Sequence, residues 1–189
     1  MFRVLHGGQL LVLMAALAGC DRDEPIAFYN VPKEPPPATQ AAAQLPPPIQ
    51  WTVPPDWRPL PPTDMRYAAF AVSAQDPSLV LTVIPLGTGS GSLLQNVNRW
   101  EAQLGLPATA ADQLHAVARP IAAGDVPGHM VDLLGPETVA PRQRILGAII
   151  PHGQRVWFFK LHGPAEQVAA QREAFDAFIG SVRFSHSTP

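Results

Sequence analysis

The chain holds one cysteine, Cys20, so no intramolecular disulfide can form and its folded part must be stable without one. No apolar run approaches the roughly 18 to 20 residues that cross a hydrocarbon core. Basic charge is also scarce: 13 Lys and Arg stand against 15 Asp and Glu, and removing residues 1–19 with Arg3 leaves 12 against 15, near −3. That balance excludes the electrostatic footprint of a nucleic-acid-binding protein and a polybasic membrane patch. Signatures of catalysis are missing too. The histidines after residue 19, at 115, 129, 152, 162 and 186, are scattered and form no H-E-x-x-H, so no zinc site is expected. There is no G-x-S-x-G nucleophile elbow. The glycine-rich Gly87-Thr-Gly-Ser-Gly-Ser92 has neither the Gly-Lys-Ser/Thr of a P-loop nor the third glycine of a dinucleotide fingerprint. No cofactor is expected.

What the chain does have begins at its N-terminus. Arg3 precedes an apolar run from Leu10 to Ala18 that ends in small residues, the pattern of a signal peptide over 1–19. Leu17-Ala18-Gly19-Cys20 resembles the lipobox of bacterial lipoproteins. That resemblance implies cleavage before Cys20 and diacylation of its sulfur. Ordinary secretory cleavage at Ala16-Leu17-Ala18 is the competing reading. A lone cysteine in an exported chain is a reactive liability that acylation removes. Two or three acyl chains on one residue hold firmly where one holds marginally. Asp21 after the cysteine resembles the sorting signal that keeps enterobacterial lipoproteins at the inner membrane, so the expected location is the envelope, facing the periplasm. Residues 20–49 carry Pro35-Pro36-Pro37 and Pro46-Pro47-Pro48 around an Ala-Gln stretch. With so few aliphatic residues they cannot offset the cost of ordering and read as a disordered proline-rich tether. Its reach is roughly 30 Å as a coil and at most about 90 Å as polyproline II.

Residues 50–186 are enough for one globular domain. Trp51 to Trp57, around a Pro-Pro turn, reads as a leading segment pinned onto the core. Strands are predicted over 65–73, 79–86, 117–123, 128–134, 144–150 and 155–162, with turns at Gln75-Asp76-Pro77-Ser78, Gly124-Asp125 and Pro151-His-Gly-Gln154. Two strands are apolar on both faces: Leu79, Leu81 and Val83 alternate with Val80, Thr82 and Ile84, and Trp157, Phe159 and Leu161 with Val156 and Phe158. Neither tolerates a solvated sheet face, so helices must cover the sheet on both sides. The expected fold is α+β, a mainly antiparallel sheet in an α/β/α sandwich. Further helices are predicted over 109–117, with Thr109 as cap, and from Pro164 to Gly180, with Val168, Phe175, Phe178, Ile179 and Val182 buried. Val182 to Phe184 should then close onto the sheet.

The helix predicted over 93–104 carries the candidate site. Leu93, Val97, Trp100 and Leu104 form one apolar stripe, with Ser90 or Ser92 as N-cap and Gly105 as C-terminal stop. Beside it run Asn96, Arg99 and Gln103. Asn96 and Asn98 are poor helix formers, so hydrogen bonding explains their presence better than propensity. They either bond a neighbouring loop or strand end, or line a polar groove for a ligand. Asp132, inside an apolar strand, is the one acidic residue expected to be partly buried, paired with Arg144 or Lys160.

Asn96-Val-Asn-Arg-Trp100, Trp157-Phe-Phe-Lys160 and Ser181-Val-Arg-Phe184 together resemble a set of bacterial proteins without assigned activity, many of them predicted lipoproteins. The order of strands, helices and hairpins is also similar to the PsbP-like fold. Neither likeness implies site residues. The expectation is a membrane-anchored, non-catalytic binding or scaffold domain whose partner is an envelope protein or a small ligand. A cell-envelope enzyme with an unrecognised site is the alternative. If Cys20 carries the anchor, Cys20→Ala moves the protein from the membrane pellet to the soluble fraction; retention in the pellet refutes acylation.

Overall fold

A computed structural model describes residues 48–185; the predicted signal peptide, Cys20, the tether as far as residue 47 and His186 lie outside the described residues. In chain order the strands are β1 (Ile49–Gln50), β2 (Arg58–Leu60), β3 (Ala68–Ala71), β4 (Val80–Gly87), β5 (Ala118–Ala123), β6 (Val126–Leu134), β7 (Gln143–His152), β8 (Arg155–Pro164) and β9 (Arg183–Phe184). The helices are α1 (Leu93–Gln103), α2 (Leu114–Val117), α3 (Ala165–Ala170) and α4 (Arg172–Ser181). Two hairpins build most of the sheet. Gly124, at φ 66°, turns β5 into β6, and Gly153, at φ 58°, turns β7 into β8. A positive φ at the first position of a two-residue turn follows the twist of the flanking strands, and glycine adopts it without a Cβ clash.

Seven strands pair antiparallel in the order β2-β3-β4-β8-β7-β6-β5, so β8 lies at the centre, as its two apolar faces require. Strand alternation divides the core. On one face Leu81, Val83, Leu146, Ile150, Trp157, Phe159 and Leu161 pack with Val168, Phe175, Phe178 and Ile179 of α3 and α4. The leading segment seals that face: Trp57 is 4% exposed, and the Trp51 ring lies 5.6 Å from Phe178. On the other face Val131, Leu133, Ile145, Ile149 and Phe158 pack under Val97, Trp100 and Leu104 of α1. The fold is therefore α+β, an antiparallel sheet with helices on both sides. The outermost strands of the sheet carry Pro59 and Pro120, which lack the N–H that a foreign strand would pair with.

Several predicted elements shift for local reasons. A tight reversal, with Arg66 N–H donating to Thr63 O at 3.1 Å, puts Met65 at a tip, 76% exposed, so the third strand is only Ala68–Ala71. Thr109 caps no helix. Its N–H and hydroxyl both donate to the Glu101 carboxylate, and only a 3-10 turn at Ala111–Gln113 and the one-turn α2 follow. Pro164 stays in β8, and the last helix breaks at Gln171, whose Oε1 accepts from the Trp57 indole N–H at 3.0 Å. The C-terminal strand does not join the main sheet. β9 pairs with β1 in a separate two-stranded ribbon, and Ile49, assigned from sequence to the tether, is 3% exposed in the core.

The seat of α1 is Gly147 on β7. A methyl group there would lie 2.5 and 2.7 Å from Cζ3 and Cη2 of Trp100, well inside contact distance. The indole, 5% exposed, therefore lies against bare backbone. Trp100→Ala should cost about 3–5 kcal/mol in urea unfolding, the range for deleting a buried large aromatic. Unchanged stability would refute this packing.

Candidate functional site

Helix α1 is stopped firmly at both ends. The Ser92 hydroxyl accepts from the Gln95 N–H at 3.2 Å while Gln95 Oε1 accepts from the Ser92 N–H at 2.8 Å, a reciprocal capping box. At the other end Leu106 N–H donates to Glu101 O and Gly105 N–H to Ala102 O, with Gly105 at φ 70°, a Schellman stop. Between these ends the stripe of Val97, Trp100 and Leu104 fixes the roll of the helix on the sheet. That roll turns Asn96, Arg99 and Gln103 toward β4.

There the three expected polar residues meet a fourth that was not expected with them, Lys160. Register supplies the floor: Thr82 of β4 is opposite Lys160 of β8, Ile84 opposite Phe158 and Leu86 opposite Val156. Thr82, Ile84, Leu86, Phe158 and Lys160, with Trp100 and the three polar residues of α1, bound a groove of about 200 Å³. Asn96 belongs to its frame rather than its opening. It is 1% exposed, its amide nitrogen donates to the Gly91 and Ser92 carbonyls, and its Oδ1 accepts from Arg99 Nη1 at 2.8 Å. The asparagine thus bonds the neighbouring loop and aims the arginine as well.

Two cations face this groove, and among the described residues neither has an acidic partner. Arg99 donates only to neutral oxygens, Asn96 Oδ1 and the Ser90 carbonyl. Lys160 Nζ donates to Gln103 Oε1 and lies 5.7 Å from the centroid of the Trp100 ring. Burial of the ammonium pushes the Lys160 pKa below the ordinary lysine value. The exposed His162, two residues on, is lowered by burial and then by the Lys160 charge. Arg119, Arg142, Arg144 and Arg172 are ion-paired, whereas Arg183 donates to the Gly180 and Val182 carbonyls.

Asp132 belongs to a different place. It lies on the face covered by α4, opposite the Arg99 face, and so shares no cleft with it. Arg144 grips both its oxygens at 2.7 Å, and Arg172 Nη1 reaches Oδ2 at 2.5 Å. Arg172 also binds Asp176, which meets Arg119. Of the two partners expected from sequence, Arg144 is correct and Lys160 is not, because strand alternation puts Lys160 on the other face. Burial raises the Asp132 pKa, but the Arg144 hydrogen bonds and the Arg144 and Arg172 charges outweigh it and hold the carboxyl below the ordinary 3.8. Nor is Asp132 the one buried acid. Glu101, 3% exposed, accepts from Thr109 N–H at 2.9 Å and from its hydroxyl at 2.5 Å. Its position four residues after Val97, at the edge of the apolar stripe, is the signal that would have found it.

The remaining surface offers less chemistry. A larger opening, about 660 Å³, lies between residues 52–57 and the α3–α4 segment and is lined by Trp57, Phe178, prolines and alanines, with Thr52, Gln171 and the carboxylates Asp56 and Glu173. Among the described residues no group of three or more His, Cys, Asp and Glu is placed to hold a metal ion. No described helix is long and apolar enough to cross a membrane.

No family model matches the chain, and no curated protein matches it. Solved structures do show likeness. A Bacteroides thetaiotaomicron protein is 11% identical with a TM-score of 0.47, over 74% of this chain and 46% of its own, so this chain spans about half of that protein. LpqN of Mycobacterium tuberculosis, involved in cell envelope biogenesis, is 16% identical with a TM-score of 0.47, over 72% of this chain and 83% of its own. Cyanobacterial PsbP from Synechocystis is 12% identical with a TM-score of 0.46, over 72% and 92%.

The Asp132 cluster makes a pH prediction. A carboxyl whose pKa is depressed by folding stabilises the fold above its unfolded value and loses that contribution as pH falls through the folded value. Urea unfolding of Asp132→Asn should show a deficit of roughly 2 kcal/mol at pH 7, the scale of a charge-assisted hydrogen bond. The deficit should shrink once pH falls below about 3.8. A deficit independent of pH would refute the ionic account.

Proposed function

We propose that the domain is the ligand-binding head of an envelope lipoprotein and takes a small anionic molecule in the groove beside α1. One observation carries the reading: Arg99 and Lys160 face an apolar floor with no acid to neutralise them among the described residues. Lys160 is half-buried and Arg99 exposed beside it; a half-buried cation without a counter-charge is costly, and an anion bound at Lys160 removes that cost. Apolar walls with a few convergent polar groups are the usual composition of a small-molecule site. The groove contains no histidine and no carboxylate, which supports binding without turnover. Anchoring rests on Leu17-Ala18-Gly19-Cys20, with Asp21 favouring the inner membrane. A second reading, an envelope enzyme with Lys160 as base, is favoured only by the lowered pKa of that lysine.

The test is an NMR titration of the mature chain carrying Cys20→Ala with short carboxylates, phosphate monoesters, sulfates and acyl carboxylates. At least one class should give saturable shifts of the Trp100 indole and the Gln103 amide. An Arg99→Gln/Lys160→Gln double variant with unchanged melting should abolish them. Absence of saturation with every class rejects the reading, and chemical conversion of a bound anion favours the enzyme.

A further inference from the structure

The groove does not end at β4. Ile84, on its floor, also lines a second opening of about 540 Å³ bounded by Thr63, Asp64, Met65 and Arg66 of the tight reversal before β3. Ile84 and Leu86 project on the same side of β4 as the groove floor, because Leu81 and Val83 take the opposite face. Helix α1 packs over residues of β6, β7 and β8 on this side. Beyond it Leu86 remains 38% exposed and Met65 76% exposed, two of the most exposed large apolar side chains among the described residues. The two openings meet at Ile84 and have unlike walls. The α1 side presents Arg99 and Gln103, with Lys160 at its foot; the floor is Phe158, Ile84 and Leu86; the far side is Met65, with Asp64 and Arg66 at the solvent-facing tip.

From this asymmetry we infer that the ligand is a monoanionic amphiphile: its anionic group lies between Arg99 and Lys160 and its apolar part crosses Ile84 to end against Met65. The inference rests on the anion-binding reading and specifies its ligand class. Charge complementarity fixes the polar end, since the two unneutralised cations are on the α1 side and the far side offers one carboxylate beside one guanidinium. Geometry fixes the length. From β8 across β4 to the level of β3 is two strand spacings, about 10 Å, so the apolar part matches a medium acyl chain better than a short acid. A methionine suits the far end, because its unbranched, polarisable side chain adapts to irregular apolar partners. The occupant is a single extracted molecule, with a fatty acid as the plainest example. The same chemistry in a bilayer, an acyl chain ending in an anionic headgroup, is the rival source.

Methionine labelling tests this directly. The chain has four methionines, and past residue 19 only Met65 and Met130 remain. Met130 is 3% exposed in the core on the opposite face of the sheet, a built-in control. The mature chain carrying Cys20→Ala, labelled with ¹³C at the methionine methyl groups, is titrated with monomeric decanoate, acetate and decyltrimethylammonium. Decanoate should shift Met65 and the Trp100 indole but not Met130, and should bind at least tenfold more tightly than acetate. Met65→Glu, at an exposed tip where folding is not at risk, and Lys160→Gln should each weaken decanoate at least tenfold.

If decanoate and acetate bind equally and move only Trp100, the amphiphile assignment is overturned while the anion site stands. Equal binding of decyltrimethylammonium overturns the charged end. Cosedimentation with phosphatidylglycerol vesicles through Met65, without binding of monomeric decanoate, overturns the single-molecule occupant in favour of a bilayer. No saturable response to any of the carboxylates, phosphate monoesters or sulfates sinks both this inference and the anion-binding reading.

Discussion

Trp100 seated against Gly147 is the contact on which the arrangement of this domain turns. A helix packed on a sheet is free to roll about its axis unless one large side chain finds one receptive spot. Here the spot is a position on β7 where even a methyl group would collide with the indole. Once the indole is seated, Val97 and Leu104 fall onto Val131, Leu133 and Ile145. The neighbouring stripe of Asn96, Arg99 and Gln103 is then rolled toward β4. The same contact brings the indole within 5.7 Å of the Lys160 ammonium, so the interaction that holds the helix also holds one wall of the groove.

The two faces of the sheet are used differently. The α3 and α4 face is closed: the leading tryptophans, the buried Phe70, Phe159, Phe175 and Phe178 and the β1–β9 ribbon fill it, and Arg144, Asp132, Arg172 and Asp176 pair with one another in a chain. The α1 face is only half covered. Its cations are aimed by neutral groups, an asparagine oxygen, a glutamine oxygen and a backbone carbonyl, which orient a positive charge without cancelling it. That contrast, neutralised charge on the packed side and unneutralised charge on the open side, is why the proposed site is placed beside α1 although a larger opening exists beside α4.

Much of this was legible along the chain. Strand alternation at Leu79–Ile84 and at Val156–Leu161 demanded cover on both faces, and period and capping placed α1 to within a residue. The pattern failed where a residue's partner is distant in sequence. Thr109 reads as a helix cap because its partner, the buried Glu101 carboxylate, lies eight residues back on the preceding helix, outside the reach of capping rules. Val182–Phe184 read as part of the main sheet because its true partner, Ile49–Gln50, lies at the other end of the domain, at the edge of a proline-rich stretch. Along the chain Lys160 is as good a partner for Asp132 as Arg144, because all are charges on apolar strands, and only the pleat decides which face each occupies.

By itself, then, the sequence determined the local matters: periodicity, turns, caps, the absence of familiar catalytic signatures, and an N-terminal pattern resembling a lipidation signal. These follow from rules that act over a few residues. Tertiary structure alone decided which polar groups converge. Lys160 joins Arg99 and Gln103 only because β8 pairs with β4 in a particular register and Gly147 admits Trp100. Electrostatic neutralisation works through space, so whether a cation is left without an acid cannot be read until every strand and helix has been placed.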